Sequence, residues 1–516
     1  MDDVTHKTRA RALAVLGTGS DVGKSLLVAG LCRVVYRTGI YVAPFKAQNM
    51  SNNAAVTREG GEIGRAQALQ AEACGIESHV DMNPILLKPD SDECAQVVVQ
   101  GRLRGRSDAT AIFDRTSEFR RIAQESYSRL ATRFDAIILE GAGSAAEVNL
   151  RHCDVANWPM VDYADASVLL VADIDRGGVF AQVLGTLDLL TFEERCRIIG
   201  VVINKFRGRP ELFVEGKQFL ERRSGIPVLG IVPFLSGLRL DQEDSLDYGR
   251  QTIFSDSTVN IAVVLLPRMS NFTDFNALAA EPDVALCYVD RPEQFAKADV
   301  VIIPGSKNTI ADMRYIREHG VAALITMHAN NGGELVGLCG GYQMLGRSVE
   351  DGFGAEAGGT VQGLGLLNVS TQLGRTKITT LVEAIPLHFD FQSPTRVKGY
   401  QIHMGVTVRA DERPCFQLCA DQSAAVASES SEMVDGAMNA SGLVWGAYIH
   451  GVFDEPDFRA AWLNRIRARK GLPQVSAEVS RNSSAMLRRQ VDRWGDHLAQ
   501  HMDMQPVWRA LSHGGG

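Results

Sequence analysis

Short apolar runs alternate with amphipathic stretches through the first half of the chain. The runs RALAVLG, IYVAPFK, DAIILEG, SVLLVAD, RIIGVVINK and IPVLGIVP are apolar at most positions, as in strands that are buried on both faces of a parallel sheet. Stretches such as EIGRAQALQAEACG between them have helical spacing. The alternation predicts an α/β domain built from βαβ units. Ligands of such domains bind at the carboxyl edge of the sheet, so the polar residues that end the strands are the first candidates for a site.

The periodicity is lost over residues 236–257 and then returns. The intervening SGLRLDQEDSLDYGRQTIFSDS is rich in Asp, Ser and Gly, so we expect a linker there. The runs VNIAVVLLP, DVVIIPG, ELVGL and GLVWGAYIHG then predict a second α/β domain. From Asp457 to about Gln490 the pattern is helical and charged, and we expect a solvated appendage. The predicted domains are 1–250, 258–460 and a C-terminal helical extension over 461–516.

Composition and charge exclude several classes of protein. The chain has 516 residues, 45% of them hydrophobic and 22% charged, which favours two large globular domains. No apolar run approaches the ~20 residues of a membrane helix, and the start lacks the order of a secretory signal, so we expect a cytoplasmic protein without a membrane partner. A net charge of −8 without a basic stripe argues against nucleic acid. The nine cysteines stand singly, without metal-ligand spacing. Association into homo-oligomers is left open.

The segment GTGSDVGKS, residues 17–25, lies between a predicted strand and a predicted helix. In that context successive backbone N–H groups and the helix N-terminus cradle phosphates, Lys24 reaches the outer phosphates and the Ser25 hydroxyl binds Mg²⁺. Thr18 stands where the usual phosphate loop has its first glycine. The alternative is a glycine-rich turn that merely packs. The predicted ATP-binding residues are Gly17, Thr18, Gly19, Asp21, Val22, Gly23, Lys24, Ser25 and Asn204.

Carboxylates end two further strands of this domain. Glu140 ends the run in IILEGAG and Asp173 the run in VADIDRGG, so with Ser25 they are the predicted Mg²⁺ ligands. The alternative for each is a surface carboxylate that caps a helix. Asn204, at the end of VINKF, is placed to read a purine edge or is an ordinary polar strand end.

In the second domain, ELVGLCGGYQMLG places Cys339 between a buried strand and a helix. The glycines after it allow a tight elbow, and the helix N-terminus favours the thiolate. His450, in WGAYIHGVFD, is the predicted base because it ends an apolar strand. The backbone N–H groups of Gly305, Ser306 and Gly340 are predicted to form an oxyanion hole. The alternative for Cys339 is a buried, inert thiol.

These motifs resemble two known families. The phosphate loop with EGAG downstream resembles the dethiobiotin synthetase-like branch of P-loop proteins, whose members phosphorylate a carboxylate or carbamate. The second domain resembles the class I glutamine amidotransferases, with G-x-C-x-G, an upstream P-G-S loop and a strand-end histidine. That class commonly has H-P-E, whereas Gly451 and Val452 follow the histidine here. Either another group orients His450, or a Cys–His dyad suffices.

Longer segments resemble the cobyric acid synthase family from about residue 12 to 470, among them FKAQNMSNNA, DMNPILLKP, EGAGSAAEVNLR, VADIDRGGVFA, KGYQIHMG and YIHGVFD. Ala145 and Trp158 stand where the family usually has proline and methionine. The resemblance implies ATP- and glutamine-dependent amidation, with Mg²⁺, of the b, d, e and g carboxylates of adenosylcobyrinic acid a,c-diamide, a step of cobalamin biosynthesis. The alternative is the related cobyrinic acid a,c-diamide synthases, against which FKAQNMSNN argues.

The resemblance also suggests where the corrinoid or the acyl phosphate is held. The predicted contacts follow the second strand or lie in DVANW: Lys46, Gln48, Asn49, Asn52, Asn53 and Asp154. The alternative for this set is a polar loop network. Two other classes of protein stay open, a nucleotide-dependent switch with a decayed glutaminase half and a free-standing glutaminase. The intact Cys339, Gly305 and His450 argue against decay.

Overall fold

The computed structural model describes residues 10–238, 240, 254–356, 358–389, 391, 395–419 and 433–512. The linker predicted over 236–257 lies largely outside the described residues, and so does the predicted domain end at residue 250.

The first domain alternates strands and helices, as the hydrophobic pattern predicts. Its strands are β1 (Arg11–Gly17), β2 (Val42–Phe45), β3 (Gln48–Met50), β4 (Ala54–Val56), β5 (Glu62–Gly64), β6 (Ile85–Pro89), β7 (Cys94–Val99), β8 (Arg102–Asp108), β9 (Ala136–Glu140), β10 (Ser167–Asp173), β11 (Ile198–Phe206) and β12 (Val228–Pro233). Its helices are α1 (Lys24–Arg37), α2 (Arg65–Ala73), α3 (Ala109–Asp114), α4 (Thr116–Ala131), α5 (Trp158–Ala164), α6 (Val179–Leu189), α7 (Phe192–Cys196) and α8 (Val214–Ser224).

The central sheet of this domain is parallel, in the order β12-β11-β10-β1-β9-β2. Apolar side chains of these strands belong to cores on both faces of the sheet, which confirms the prediction from the unbroken apolar runs. The phosphate loop, Glu140 and Asp173 all follow or end strands at the carboxyl edge. The predicted nucleotide residues therefore lie along one edge of one sheet.

A layer of short strands between residues 48 and 108, antiparallel except where β3 pairs with β6, was not predicted. It contains the sheet β3-β6-β7-β8 and the hairpin β4-β5. These strands are only three to seven residues long, too short for the periodicity to stand out. One face packs on the second domain, where Ala54, Val56 and Val98 form a buried cluster with Tyr400 and Ile402. The partner that stabilises the layer thus comes from another part of the chain.

The second domain has more strands than its apolar runs indicate. They are β13 (Val259–Val264), β14 (Met269–Ser270), β15 (Val284–Val289), β16 (Val300–Ile303), β17 (Gly305–Ser306), β18 (Glu334–Leu338), β19 (Ser348–Asp351), β20 (Gly359–Gln362), β21 (Val369–Pro386), β22 (Val397–Arg409), β23 (Phe416–Leu418), β24 (Val434–Asp435), β25 (Ala437–Met438), β26 (Val444–Ala447) and β27 (Ile449–His450). The remaining helices are α9 (Asn276–Ala279), α10 (Pro292–Phe295), α11 (Thr309–Glu318), α12 (Val321–Asn330), α13 (Gly340–Leu345), α14 (Pro456–Lys470), α15 (Ala477–His501) and α16 (Gln505–Leu511).

Two sheets meet at the predicted cysteine. The first has the order β15-β13-β16-β18-β26-β25 and is parallel except at β25. The second is built on the long antiparallel pair β21 and β22. The prediction of one strand over GLVWGAYIHG is wrong, because β26 joins the first sheet and β27 the second. The carboxylate of Asp435 accepts the backbone N–H groups of Tyr448 (3.0 Å) and Ile449 (3.1 Å) at the break.

The expectation of a solvated C-terminal appendage is also wrong. In α14, Trp462 and Arg459 are fully buried, and Arg459 pairs with the buried Glu281 at 2.7 Å. In α15, Leu498 is fully buried in the core of the first domain, and Trp494 Nε1 donates to the Leu26 carbonyl at 2.6 Å. The charged composition misled the prediction because part of the charge is buried in ion pairs. Among the described helices, none combines the length and apolar character that a membrane span requires.

Candidate active site

Cys339 sits on a strained turn between β18 and α13. Its backbone has φ 50° and ψ −108°, a conformation that residues other than glycine adopt only at a cost in free energy. A Cβ on Gly340 would come 2.8 Å from the Ser306 nitrogen, and one on Gly341 would collide with the Ile303 carbonyl. The two glycines thus let the elbow approach the loop after β16. The cysteine is buried, and 8% of the residue is still exposed to solvent.

His450 is oriented by Asp274, which the sequence analysis missed. The imidazole Nδ1 lies 2.7 Å from Asp274 Oδ2, and the other carboxylate oxygen accepts the Gly451 N–H at 3.0 Å. Asp274 lies in a short 3-10 turn over Phe272–Phe275, 176 residues before the histidine. It is thus a candidate for the orienting group that the absence of H-P-E left open. The only sequence signal was an aspartate in the otherwise uncharged SNFTDF.

The environment of His450 favours the charged imidazole. Burial alone would lower its pKa, but the Asp274 carboxylate and the adjacent Cys339 thiol outweigh burial and raise the pKa to about 10. A charged imidazole beside a cysteine is an arrangement found around cysteine nucleophiles. The three residues therefore have the order nucleophile, base and orienting carboxylate of a catalytic triad.

The predicted oxyanion loop lies against this triad. Gly305 and Ser306 form β17, which pairs with β14. A Cβ on Gly305 would be 3.5 Å from His450 Cε1. The Ser306 hydroxyl donates to the buried Asp312 at 2.7 Å, which holds the loop from behind. The structure brings Gly305, Ser306 and Gly340 to the thiol, and their oxyanion role stays a prediction.

A group of buried polar side chains next to α13 was also missed. Gln343, on the first turn of α13, donates to the Met404 carbonyl (3.2 Å) and the Tyr448 hydroxyl (3.1 Å), and it accepts from Thr309 at 3.0 Å. Burial lowers the pKa of His403 to about 3, so this ring, stacked on Tyr448, is neutral. Burial also raises the pKa of Glu356, whose carboxylate accepts the Thr309 N–H, to about 8.

In the described structure Lys24 binds two backbone carbonyls, one of them in the phosphate loop. Its Nζ donates to the carbonyls of Gly19 (2.9 Å) and Gly143 (2.8 Å). Asp21 and Gly23 have positive φ, 56° and 94°, as expected where successive N–H groups turn toward an anion. Among the described residues the buried Thr18 hydroxyl finds no hydrogen-bond partner. These features fit the phosphates of a nucleotide.

Asn204 supports this loop from beneath. Its side-chain amide donates to the Val22 carbonyl at 2.9 Å, and a Cβ on Gly23 would collide with it. The glycine at position 23 therefore allows both the positive φ and the close approach of Asn204. Its role in reading a purine stays a prediction.

Glu140 is the centre of the buried polar contacts next to the loop. It accepts from Ser25 Oγ at 2.7 Å and pairs with Lys46 at 2.8 Å. Gln67 and Gln70, three residues apart on α2, donate to its other oxygen at 3.2 and 2.6 Å. Burial would raise the pKa of Glu140, but Lys46 and these hydrogen bonds lower it overall. The two glutamines were missed because their spacing indicates that they share a helix face but does not indicate that this face contacts Glu140.

The donor set next to the loop suits a magnesium ion in part. Ser25 and Glu140 place a hydroxyl and a carboxylate oxygen in contact, and both are donors that Mg²⁺ accepts. Asp173 instead pairs with Lys205 at 3.0 Å and accepts the Asp175 N–H at 2.7 Å. No group of three His, Cys, Asp or Glu side chains among the described residues is arranged to hold a metal.

The predicted substrate residues lie in different surroundings, and their role stays a prediction. Lys46 binds Glu140, and Asn49 Nδ2 donates to Gln67 at 2.9 Å. Asn53 faces the other domain, where it accepts the Phe272 N–H at 3.2 Å. Gln48 is half-buried on β3, and the buried Asn52 Oδ1 has no partner among the described residues.

Asp154 supports the nucleotide site indirectly. Its carboxylate accepts the backbone N–H groups of Ala156 (2.9 Å), Asn157 (2.9 Å) and Trp158 (3.1 Å). Asn157 in turn binds both the N–H and the carbonyl of Ala142, at 3.0 and 2.9 Å. The next residue, Gly143, accepts from Lys24. Asp154 and Asn157 thus set the position of the loop that Lys24 contacts.

Comparisons with known proteins agree with both halves of this description. The family described as CobQ/CobB/MinD/ParA nucleotide binding domain matches residues 13–246, and the CobB/CobQ-like glutamine amidotransferase domain matches residues 260–458. A cobyric acid synthase of Syntrophobacter fumaroxidans is 45% identical over 98% of this chain and 99% of its own length. The chain belongs to the cobyric acid synthase family. Another cobyric acid synthase, of Citrobacter koseri, is 44% identical over 97% of this chain and 98% of its own.

Membership of the cobyric acid synthase family makes this chain an ATP-dependent glutamine amidotransferase. The two family matches cover the two sites, so the fold class and enzyme class predicted from the motifs are confirmed. A solved structure described as PurLQS from Thermotoga maritima covers 44% of this chain and 98% of its own, with 19% identity and a TM-score of 0.28, a likeness that supports no conclusion by itself.

Proposed function

We propose that this chain amidates the b, d, e and g carboxylates of adenosylcobyrinic acid a,c-diamide and so makes adenosylcobyric acid in the cytoplasm. Each amide consumes one ATP and one glutamine. The observation that carries the proposal is the presence, in one chain, of a Cys339–His450–Asp274 triad and a phosphate loop beside Glu140. The full-length similarity to cobyric acid synthases supports the corrinoid as substrate.

The second domain releases ammonia from glutamine. The Cys339 thiolate attacks the side-chain carbonyl carbon, and the N–H groups of Gly305, Ser306 and Gly340 receive the developing oxyanion. His450 gives its proton to the departing nitrogen, so ammonia leaves and a thioester remains. The same imidazole then takes a proton from water, which hydrolyses the thioester to glutamate and restores the thiolate. Asp274 keeps the ring oriented throughout.

The first domain makes the carboxylate reactive. A carboxylate oxygen of the corrinoid attacks the γ-phosphorus of ATP, ADP leaves, and an acyl phosphate forms. Lys24 neutralises charge on the transferred group. Ser25 and Glu140, with Asp173, would hold Mg²⁺, which when bound supplies further neutralisation of the phosphates. Ammonia attacks the acyl carbon, phosphate leaves, and the amide is complete.

For the corrinoid itself, we propose contacts from the segment after β2. Gln48 and Asn52 are the best placed of the predicted residues, because Gln48 is half-exposed and Asn52 Oδ1 is unpartnered among the described residues. Lys46, Asn49, Asn53 and Asp154 already bind protein groups and act by shaping the segment or by reaching the acyl phosphate.

A stoichiometric assay tests the proposal. The enzyme is incubated with ATP, glutamine and adenosylcobyrinic acid a,c-diamide, and amides are counted by mass spectrometry against ADP and glutamate. We expect four amides per corrinoid, with one ADP and one glutamate for each. Cobyrinic acid without the two amides is the control, since amidation of that compound and not of the diamide would identify an a,c-diamide synthase instead. Amidation without ATP would overturn the mechanism.

A further inference from the structure

A buried group of ionic side chains joins the two domains. Glu62 of β5 pairs with Lys88 of β6 at 2.6 Å, and its other oxygen binds Lys377 of β21 in the second domain. All three side chains are at most 6% exposed. We call these three residues the Glu62 cluster. A buried ion pair is retained only where its geometry is good, and removing one partner leaves a costly unpaired charge.

A second contact links the first domain to the oxyanion loop. Lys307 directly follows Ser306, is buried, and donates to the side-chain oxygen of Gln96 on β7. The neighbouring Asn308 donates to the Asp90 carbonyl at 3.4 Å. The strands β5, β6 and β7 of the first domain therefore contact two separate parts of the glutaminase site.

Lys377 lies across the β21–β22 ribbon from the segment that contacts the nucleophile. It pairs across the β21–β22 ribbon with Met404, and two residues before Met404 the Ile402 carbonyl is 3.5 Å from the Cys339 sulfur. Gln343, from the turn after the cysteine, donates to the Met404 carbonyl. Burial lowers the pKa of Lys377, and the charges of Glu62 and of the Cys339 thiolate act against that effect.

On the other side, the cluster is continuous with the nucleotide site. The strand β5 begins at Glu62 and ends at Gly64, and α2 begins at the next residue, Arg65. Within that helix, Gln67 and Gln70 hold Glu140, which binds Ser25 of the phosphate loop. Nine residues of chain, 62–70, thus run from Glu62, which pairs with Lys377, to Gln70, which binds Glu140.

We propose that Lys377 is a positioning residue that supports the Cys339 thiolate electrostatically, and that Glu62 makes this support depend on the first domain. The proposal rests on the amidotransferase activity of the family. An ammonium near the thiolate favours the charged nucleophile. A buried lysine keeps its charge only beside a carboxylate, and here that carboxylate belongs to the ATP-dependent domain. Glutamine is then hydrolysed efficiently only when the first domain presents Glu62.

The test compares Lys377→Met, Lys377→Arg and Glu62→Gln in the full-length enzyme. Lys398→Met is the matched control, because Lys398 is exposed on the paired strand β22. Alkylation of Cys339 by iodoacetamide is followed by peptide mass spectrometry, and amidation is measured with glutamine and with ammonium chloride. We expect Lys377→Met and Glu62→Gln to slow alkylation and glutamine-dependent amidation roughly tenfold, because the thiolate loses the support of a nearby positive charge. Ammonium-dependent amidation stays within about twofold, as a site untouched by the change predicts.

Further measurements separate this role from a structural one. Lys377→Arg keeps the charge and should retain alkylation close to that of the control. The double variant Lys377→Met, Glu62→Gln should lose no more than either single variant, because both remove one interaction. ATP and corrinoid together should stimulate glutamate release in the parent enzyme and not in Glu62→Gln.

The proposal is overturned by unchanged alkylation in Lys377→Met, by Lys377→Arg as slow as Lys377→Met, or by equal loss of both amidation routes. Full stimulation of Glu62→Gln by ATP and corrinoid overturns the dependence on the first domain. If Lys377→Met does not fold, Lys377→Arg and Glu62→Gln decide the question by the same readings.

Discussion

The nucleotide site and the glutaminase site are built in different ways. The nucleotide site is largely local, since residues 17–25 form its loop and Glu140 ends a neighbouring strand of the same sheet. The glutaminase site gathers Asp274, Gly305, Cys339 and His450 from four separate segments, and strands of the first domain pack behind it. A site formed by one loop motif can therefore be predicted from the sequence, whereas for a triad assembled from distant segments the sequence indicates only the nucleophile and the base.

The largest expected effect separates the two sites outright. Cys339→Ala should abolish glutamine-dependent amidation, a loss of about a thousandfold or more as for other removed nucleophiles, and should spare amidation with ammonium chloride. Lys24→Ala should remove both routes because no acyl phosphate forms. Rates of corrinoid amidation with each nitrogen source check this, and loss of the ammonium route in Cys339→Ala would contradict separate sites.

Asp274→Asn tests whether the assembled triad is complete. Without the carboxylate the imidazole loses its orientation, so glutamine hydrolysis should fall by roughly a thousandfold while the ammonium route persists. The pKa of His450 is raised to about 10 in the folded protein, chiefly by Asp274 against the effect of burial. The protonated imidazole therefore persists up to that pH in the parent enzyme. In the variant the imidazole should lose its proton at a lower pH, so the alkaline decline in the rate of glutamate release should begin at a lower pH. A pH profile of glutamate release measures the shift; Asp283→Asn, at a partly exposed carboxylate that pairs with Arg467, is the control.

Asn157→Ala tests how far the nucleotide loop depends on support outside its motif. The variant loses both hydrogen bonds to Ala142, so the segment that positions Lys24 loosens. We expect the KM for ATP to rise about tenfold, the effect of one or two ordinary hydrogen bonds, with glutamine affinity unchanged. An equal rise in the KM for glutamine would show a global effect instead.

The smallest effect on catalysis should come from the C-terminal helix. Leu498→Ala opens a cavity between α15 and the first domain and should lower the free energy of unfolding by about 2–5 kcal/mol. Met486→Ala, at an exposed position of the same helix, should change it by less than about 0.5 kcal/mol. Denaturant titration measures both. Equal stabilities would show that the helix does not belong to the folded core.

Several features followed from the sequence because their causes are local. The strands β1 and β10 begin and end where the apolar runs RALAVLG and SVLLVAD do, since strands buried on both faces need unbroken apolar residues. The elbow at Cys339 followed from its two glycines, which only a close backbone approach requires. The family followed from longer motifs, and the comparisons confirm it.

Other features were decided only by the tertiary structure. Asp274 meets His450, Gln70 meets Glu140 and Lys377 meets Glu62 across 176, 70 and 315 residues, and no short pattern records such a pair. The burial of Arg459 against Glu281 was hidden because a charged residue looks exposed until its partner is known. Residue spacing along the chain determines which side chains share a face. Only the folded chain determines what that face contacts, because the residues in contact are far apart in the sequence and no local pattern connects them.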